Sequence, residues 1–324
     1  MVIRATSDLH LSARTADVVM RALDALLADA AEHGGPTVIV GDVLDQAISV
    51  HGPSFMRLWE KLRSFPDEVY VIVGNHDQFR TGHPDNPLDV LNGDNIVVVR
   101  QALHTPHLGL MVAYHEPREF VSLVANMKQG KSQRRWWWTH QGWKGSYLNA
   151  MRKDRDGVSL SHISADLVVS GHYHMPQNLG PLLYCGSPYQ TSYAEEGQEK
   201  GWLRWEGDNL LPERVAYGDL GAPRHWTVRL TDGDLALPPG WREGDKVRVV
   251  TDLTRAEVKQ HAPRLKKAGL QGASIVAKPS VRALDRALEV TGTPRDAARE
   301  HFRASFPDLS PDADAWAEEH DLWS

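Results

Sequence analysis

Cysteine is almost missing from the 324-residue sequence. Cys185 stands alone, so an internal disulfide framework is excluded and the chain fits a reducing cytoplasm. At the end of Leu182-Leu183-Tyr184-Cys185 it reads as a small buried hydrophobe. Long hydrophobic runs are absent too, and none reaches the roughly 18 residues that a membrane helix requires. The opening Val2-Ile3-Arg4-Ala5 is an apolar strand with no basic stretch leading into an apolar one, so no secretory signal is expected. A basic excess is also lacking: 36 Lys and Arg stand against 42 Asp and Glu, for a net charge of −6. Nucleic-acid binders usually carry a positive balance, so any attraction for phosphate has to be local, from a patch or from bound cations. No internal repeat or low-complexity tract is present.

Histidine, by contrast, is plentiful. The chain has 16, several of them beside Asp, Gly or Asn rather than on apolar helix faces.

The first two thirds alternate short apolar runs with helical stripes. Val2–Thr6, Thr37–Val40, Val69–Val73, Trp136–Trp138 and Leu167–Val169 have the length of buried strands. Val18, Val19, Ala22, Leu23, Leu26 and Leu27 form one apolar helical stripe; Phe55, Leu58, Trp59 and Leu62 form a second. A third follows Pro117, through Phe120, Leu123, Val124 and Met127. This is the rhythm of an α/β sandwich. Each run ends in a polar, chemistry-bearing turn, where open α/β sheets place their sites.

Residues Leu182–Tyr217 change to short strands and turns, expected as hairpins on the core. A boundary is expected near Leu230–Gly244, with Pro238-Pro239-Gly240 as linker. Beyond it come a strand at Lys246–Thr251, a helix at Arg255–Ala268, a strand at Ala273–Ala277 and polar helices at Val281–Val290 and Arg295–Phe306. The resulting division is 1–228, 229–280 and 281–324.

The turns carry the chemistry. Two divalent cations that share a phosphate need nitrogen and oxygen ligands, with one anionic oxygen in common. Asp8-Leu9-His10 would place two ligands on one side of an extended segment, because residues i and i+2 face the same way. Gly41-Asp42-Val43-Leu44-Asp45 adds carboxylates at the next strand end. Gly74-Asn75-His76-Asp77 adds a neutral amide oxygen and an imidazole, with a glycine for the tight turn. His140 follows the tryptophan-rich strand, and Gly171-His172-Tyr173-His174 repeats the i, i+2 spacing with two imidazoles. Any one of these motifs could be a turn or a satisfied core histidine. All five, in this order and each closing a strand, point to a metal centre.

In that order the motifs resemble the calcineurin-like metallophosphoesterase superfamily, over about residues 1–217. Ser7-Asp8-Leu9-His10-Leu11, Gly41–Asp45 and Gly186-Ser187-Pro188-Tyr189-Gln190 look like the nuclease subunit of the SbcC–SbcD DNA-repair complex and its phage counterparts. Glu195-Glu196 with Lys200-Gly201-Trp202 is similar to an acidic-then-Lys-Gly-aromatic segment of that subunit. The resemblance implies an α/β fold: a metallophosphoesterase β-sandwich flanked by helices, a small α+β capping domain at 229–280, and C-terminal helices that could either dock on the ATPase or pack on the chain's own cap. It implies one metal on Asp8, His10 and His174 and a second on Asn75, His140 and His172, with Asp42 bridging. His76 would protonate the leaving oxygen, and Asp45 would be the acidic partner that orients it. Gln46 stands where protein phosphatases of the wider superfamily carry an Arg, which counts against that activity.

The implied function is a manganese-dependent DNA exo/endonuclease working with an SbcC-like ATPase, expected as a homodimer and with no membrane association. Iron, zinc or magnesium also suit mixed nitrogen and oxygen ligands. A small-molecule phosphodiesterase or phosphatase would use the same ligands. A non-catalytic scaffold would be expected to have lost some of them. Trp143 and Lys144, just past His140, are the candidate substrate contacts, since basic and aromatic side chains together suit nucleic acid. The Arg134-Arg135-Trp136-Trp137-Trp138 stretch fits better as a strand that fills the core on both faces. Asp77 reads as a turn-former behind the site, and His115 as a residue near it.

Overall fold

The computed structural model describes residues 1–80, 85–127, 134–148, 152–207, 209–231, 234–235, 237–251, 253, 255–267 and 273–277. The expected C-terminal helices, 281–324, lie outside the described residues. The chain divides into two units, Met1–His225 and Trp226–Ser324.

The first unit opens with β1 (Val2–Thr6), α1 (Ala16–His33), β2 (Thr37–Val40), α2 (Gly52–Arg63), β3 (Val69–Ile72) and β4 (Ile96–Val99). Next come β5 (Ala102–Thr105), β6 (Gly109–Val112), α3 (Pro117–Asn126), β7 (Trp136–His140) and β8 (Leu167–Gly171). It closes with β9 (Gln177–Leu179), β10 (Leu182–Tyr184), β11 (Gly201–Glu206) and β12 (Glu213–Ala216). Two six-stranded sheets result, ordered β12-β11-β1-β2-β3-β4 and β5-β6-β7-β8-β10-β9. In the first, β1 to β4 run parallel; in the second, β6, β7, β8 and β10 do. The expected hairpins are present. β11 extends the first sheet antiparallel to β1 and β12 pairs antiparallel with β11, while β9 caps the second sheet against β10.

Burial follows the sequence pattern. The Thr-Val-Ile-Val of β2 is wholly buried, as a central parallel strand requires. Helix α1 turns Val19, Leu23 and Leu26 onto the first sheet, and α2 adds Leu58 and Leu62. The tryptophans of β7 part by alternation. Trp136 and Trp138 enter the core between the sheets beside Trp205, with ring centroids 5.5 to 6.0 Å apart. Trp137 faces the other way, into a second core under Phe120 and Val124 of α3. Aromatic pairs at such spacing add roughly 0.5–1.5 kcal/mol each beyond burial alone.

One charged residue goes against the apolar reading of β1. Arg4 is fully buried, and it is satisfied by the Asp29 carboxylate and the carbonyls of Asp29, Gly34 and Gly35. Arg204, its antiparallel partner on β11, also binds Asp29, at 2.7 Å.

The second unit holds most of β13 (His225–Thr231), with β14 (Asp234–Leu235), β15 (Lys246–Thr251), α4 (Arg255–Gln260), α5 (Ala262–Lys267) and β16 (Ser274–Ala277). Its sheet is ordered β14-β13-β15-β16, around Val228, Leu230, Val247, Val249 and Leu265. Pro238-Pro239-Gly240 falls within this sheet's β14–β15 connection. The single helix expected from Arg255 is two, interrupted at His261; Pro263 has no N–H to carry a continuous ladder and suits the first turn of a new helix.

Candidate metal centre

The five motifs meet where the parallel strands of both sheets end. The loop after β1 runs beside the loop after β2, with Asp8 N–H donating to the Gly41 carbonyl and His10 N–H to the Asp42 carbonyl, both at 3.0 Å. The expected extended geometry of Asp8-Leu9-His10 does not hold. Asp8 and His10 are left-handed, at φ 54° and 48°, as are Asp42 at 50° and His172 at 91°. Among the described residues only one other non-glycine residue, Asp94, has positive φ. Such conformations cost of order 1–3 kcal/mol each and persist where the surroundings impose them, typically at functional sites. The ligands therefore converge through kinks in the backbone rather than through strand alternation.

Glycine makes the close approach possible. A Cβ on Gly74 would lie 2.2 Å from Asp42 Oδ1, and one on Gly41 would lie 2.1 Å from His140 Nδ1. Asp77 ties the two loops together. Fully buried, it accepts hydrogen bonds from the N–H groups of Gly74 and Leu44 at 2.8 Å and of Val43 at 3.3 Å. Burial, reinforced by the Asp42 charge, pushes its carboxyl up to about 7.

Three groups of potential ligands form, each with its donor atoms within 4.8 Å of one another. Asp8, His10 and His174 make the first, Asp42, His140 and His172 the second, and His10, Asp42 and His76 the third. In the first, His10 Nε2 and His174 Nε2 face each other at 2.9 Å, and Asp8 Oδ1 is 3.9 Å from His174 Nε2. In the second, His140 Nε2 is 3.1 Å from Asp42 Oδ2, and Asn75 Oδ1 is 3.0 Å from His172 Nδ1. Asp42 thus joins both halves of the site.

These residues suit divalent cations. His140 Nε2 is buried without a well-formed hydrogen bond. Two imidazole nitrogens aimed at each other leave a lone pair that a cation would use. Carboxylate, imidazole and amide oxygen are the donors that first-row divalent ions take.

Charge is divided alike in the two halves. Burial disfavours the charged form of His140, but Asp42 outweighs it and raises the imidazole to about 9. Burial disfavours charged His174 too, and the Glu195 hydrogen bond with the Asp8 charge raises it nonetheless. Their neighbours go down: burial and the His140 charge bring His172 to about 4, and burial lowers His10. Burial works against the Asp42 carboxylate, but His140 overrides it and holds the carboxyl well below its ordinary range.

His76 stands exposed at the rim, edge-on to His10 with ring centroids 4.9 Å apart. Its N–H donates to Asp42 Oδ1 at 2.9 Å, and its Nδ1 lies 2.7 Å from the main-chain carbonyl of Asp45. The orienting atom is therefore the Asp45 backbone oxygen. The Asp45 carboxylate, expected in that role, is 4.0 Å from His10 Nδ1 and largely exposed.

Trp143 is not available as a substrate contact. It is 0% exposed, edge-on to Phe120 in the core under α3, because the chain past His140 turns inward and its N–H binds the Tyr184 hydroxyl at 2.9 Å. Lys144, the next residue, is exposed. His115 is half-buried, its pKa lowered by burial, and it belongs to none of the ligand groups.

Two features go beyond the sequence reading. Tyr114, past the end of β6, lies over His172 with ring centroids 5.8 Å apart, and is 6.3 Å from His140. Its signal was an aromatic residue closing an apolar run, one position before the histidine that drew attention. Glu195 is buried behind His174 and paired with Lys200 at 2.6 Å.

The comparisons agree with this geometry. The calcineurin-like phosphoesterase family model matches residues 1–176, a span that holds every candidate ligand. No curated protein matches the chain. Among the described residues no helix is long and apolar enough to cross a membrane. Family match and site together identify the chain as a member of the calcineurin-like phosphoesterase family, whose metal centre is dinuclear.

Proposed function

We propose that the chain is a manganese-dependent DNA exo/endonuclease subunit of the SbcD type, working with an SbcC-like ATPase. Phosphoester hydrolysis comes with the family. What supports the finer reading is that the segments resembling SbcD outside the metal motifs pack against the metal residues. Ser187 N–H donates to the His174 carbonyl at 3.1 Å, and Tyr189 hydroxyl to the Leu9 carbonyl at 2.9 Å. Lys200 donates to the His174 carbonyl at 2.9 Å.

When bound, the two cations would supply the Lewis acidity that activates a water and neutralises the phosphoryl oxygens. Asp8, His10 and His174 would hold one, and Asn75, His140 and His172 the other, with Asp42 between. The chain's own contribution to bond breaking is His76. As the imidazolium it donates Nδ1–H to the Asp45 carbonyl, which leaves Nε2–H for the departing oxygen. Its exposed position suits a long substrate that passes over the site. Residues 229–280 serve in this reading as a cap, 281–324 as the ATPase-docking segment, and the active form is a homodimer in the cytoplasm.

The test is cleavage of single-stranded and duplex-end DNA with manganese, with and without the ATPase. Manganese-dependent cleavage is the expected result. No cleavage with the ATPase present, together with turnover of a cyclic nucleotide, would overturn the proposal in favour of a small-molecule phosphodiesterase on the same scaffold.

A further inference from the structure

From the packing behind His174 we infer that Glu195 is a positioning residue for one of the two metal sites, and that the segment 187–200 completes that site from outside the family-matched span. The inference rests on the two-metal reading of the centre.

His174 reaches the site with Nε2, 2.9 Å from His10 Nε2. Its other nitrogen, Nδ1, meets the Thr191 hydroxyl at 2.7 Å and Glu195 Oε1 at 3.4 Å. An Nδ1–H donated there fixes the ring's orientation and leaves the Nε2 lone pair for a cation. Glu195 itself is held on every side. Its Oε1 accepts from Thr191 Oγ1 at 2.5 Å, Ser192 Oγ at 3.2 Å and Thr191 N–H at 3.3 Å. Its Oε2 accepts from Lys200 Nζ at 2.6 Å and Ser187 Oγ at 3.1 Å.

Lys200 also donates to the His174 main-chain carbonyl, so one ammonium grips both the ligand's backbone and the carboxylate beneath its ring. A buried ion pair is weak evidence for stability as such. One that closes on a ligand's second nitrogen and its carbonyl has a positional use. All of these partners lie beyond residue 176, where the family match ends.

The experiment is manganese titration of the full chain by calorimetry, with bound ions counted by elemental analysis. Wild type is expected to take two ions. Glu195→Gln should weaken one of them by about 10–100-fold and leave the other unchanged, the range typical of a ligand's hydrogen-bond partner. His174→Ala should lose the same ion. Thr191→Val, a milder change, should weaken that ion in the same direction and guards against misfolding in the Glu195 variant. Wild-type affinity for both ions in the Glu195 and Thr191 variants, or equal weakening of the two ions, would overturn the inference. Failure of wild type to bind two ions would instead sink the two-metal reading.

Discussion

His140 and His174 each present one nitrogen to a half of the metal centre, and each is held by the other nitrogen. For His140 the holder is the Val40 carbonyl, 2.7 Å from Nδ1. That oxygen belongs to β2, so it comes with the sheet, and no side-chain substitution removes it. For His174 the holders are the side chains of Thr191 and Glu195, in a loop tied down by Lys200. Burial differs accordingly: His140 is fully buried, whereas the His174 side chain is 29% exposed. One half is built into the strands, and the other depends on a clasp added after them.

The largest expected effect comes from the residue common to both halves. Asp42→Ala should abolish turnover and take both ions with it, as elemental analysis would show. Loss of a single ion would mean the halves are independent. His76→Ala is expected to lower kcat by about 10²–10⁴-fold, the usual worth of a general acid, while both ions stay bound. Release of an ion from that variant would make His76 a ligand.

Next is the packing behind the strand-held half. Trp143→Ala should cost about 3–5 kcal/mol of stability in chemical denaturation, as large-to-small core changes do. A stable Trp143→Ala with weakened DNA binding would return that residue to the substrate surface.

Once metal is chelated, His140 in one half and Glu195 behind the other should lose their contributions at opposite ends of the pH range. His140 is raised, so its contribution is complete below the ordinary imidazole value of 6.5 and is lost as pH rises towards about 9. Glu195 is depressed, because Lys200 and His174 outweigh its burial. Its contribution is complete above the ordinary value of 4.5 and is lost as pH falls. Thermal melts of Glu195→Gln in chelator should therefore flatten on the acid side and keep the alkaline loss; an unchanged acid limb would remove Glu195 from the account. The smallest effect is expected at exposed Lys144. Lys144→Ala should reduce the salt dependence of DNA binding by a slope of about 1 if it meets a phosphate, with ions and stability unaltered.

Much of this was legible beforehand because it is local. The β-branched runs, the helical stripes and the five polar turns follow from patterns that neighbours in sequence impose. The turn motifs by themselves single out Asp8, His10, Asp42, Asn75, His76, His140, His172 and His174. Other features needed distance in sequence to be closed in space. Trp143 and Lys144 read alike as residues past His140, and only the inward turn towards Tyr184 separated a core side chain from an exposed one. Asp45 was named for its carboxylate, but its backbone carbonyl makes the contact, and no composition rule anticipates a main-chain atom.

Which side chains could bind metal, and that each lies at or after the end of a strand, was written in short segments, because ligand chemistry and strand length are local properties. How they converge depends on packing between segments. Left-handed kinks at Asp8, His10 and Asp42 go with two loops packed side by side. The hold on His174 spans the interval to Glu195 and Lys200, and such a contact exists only once two distant segments have been brought within hydrogen-bond reach.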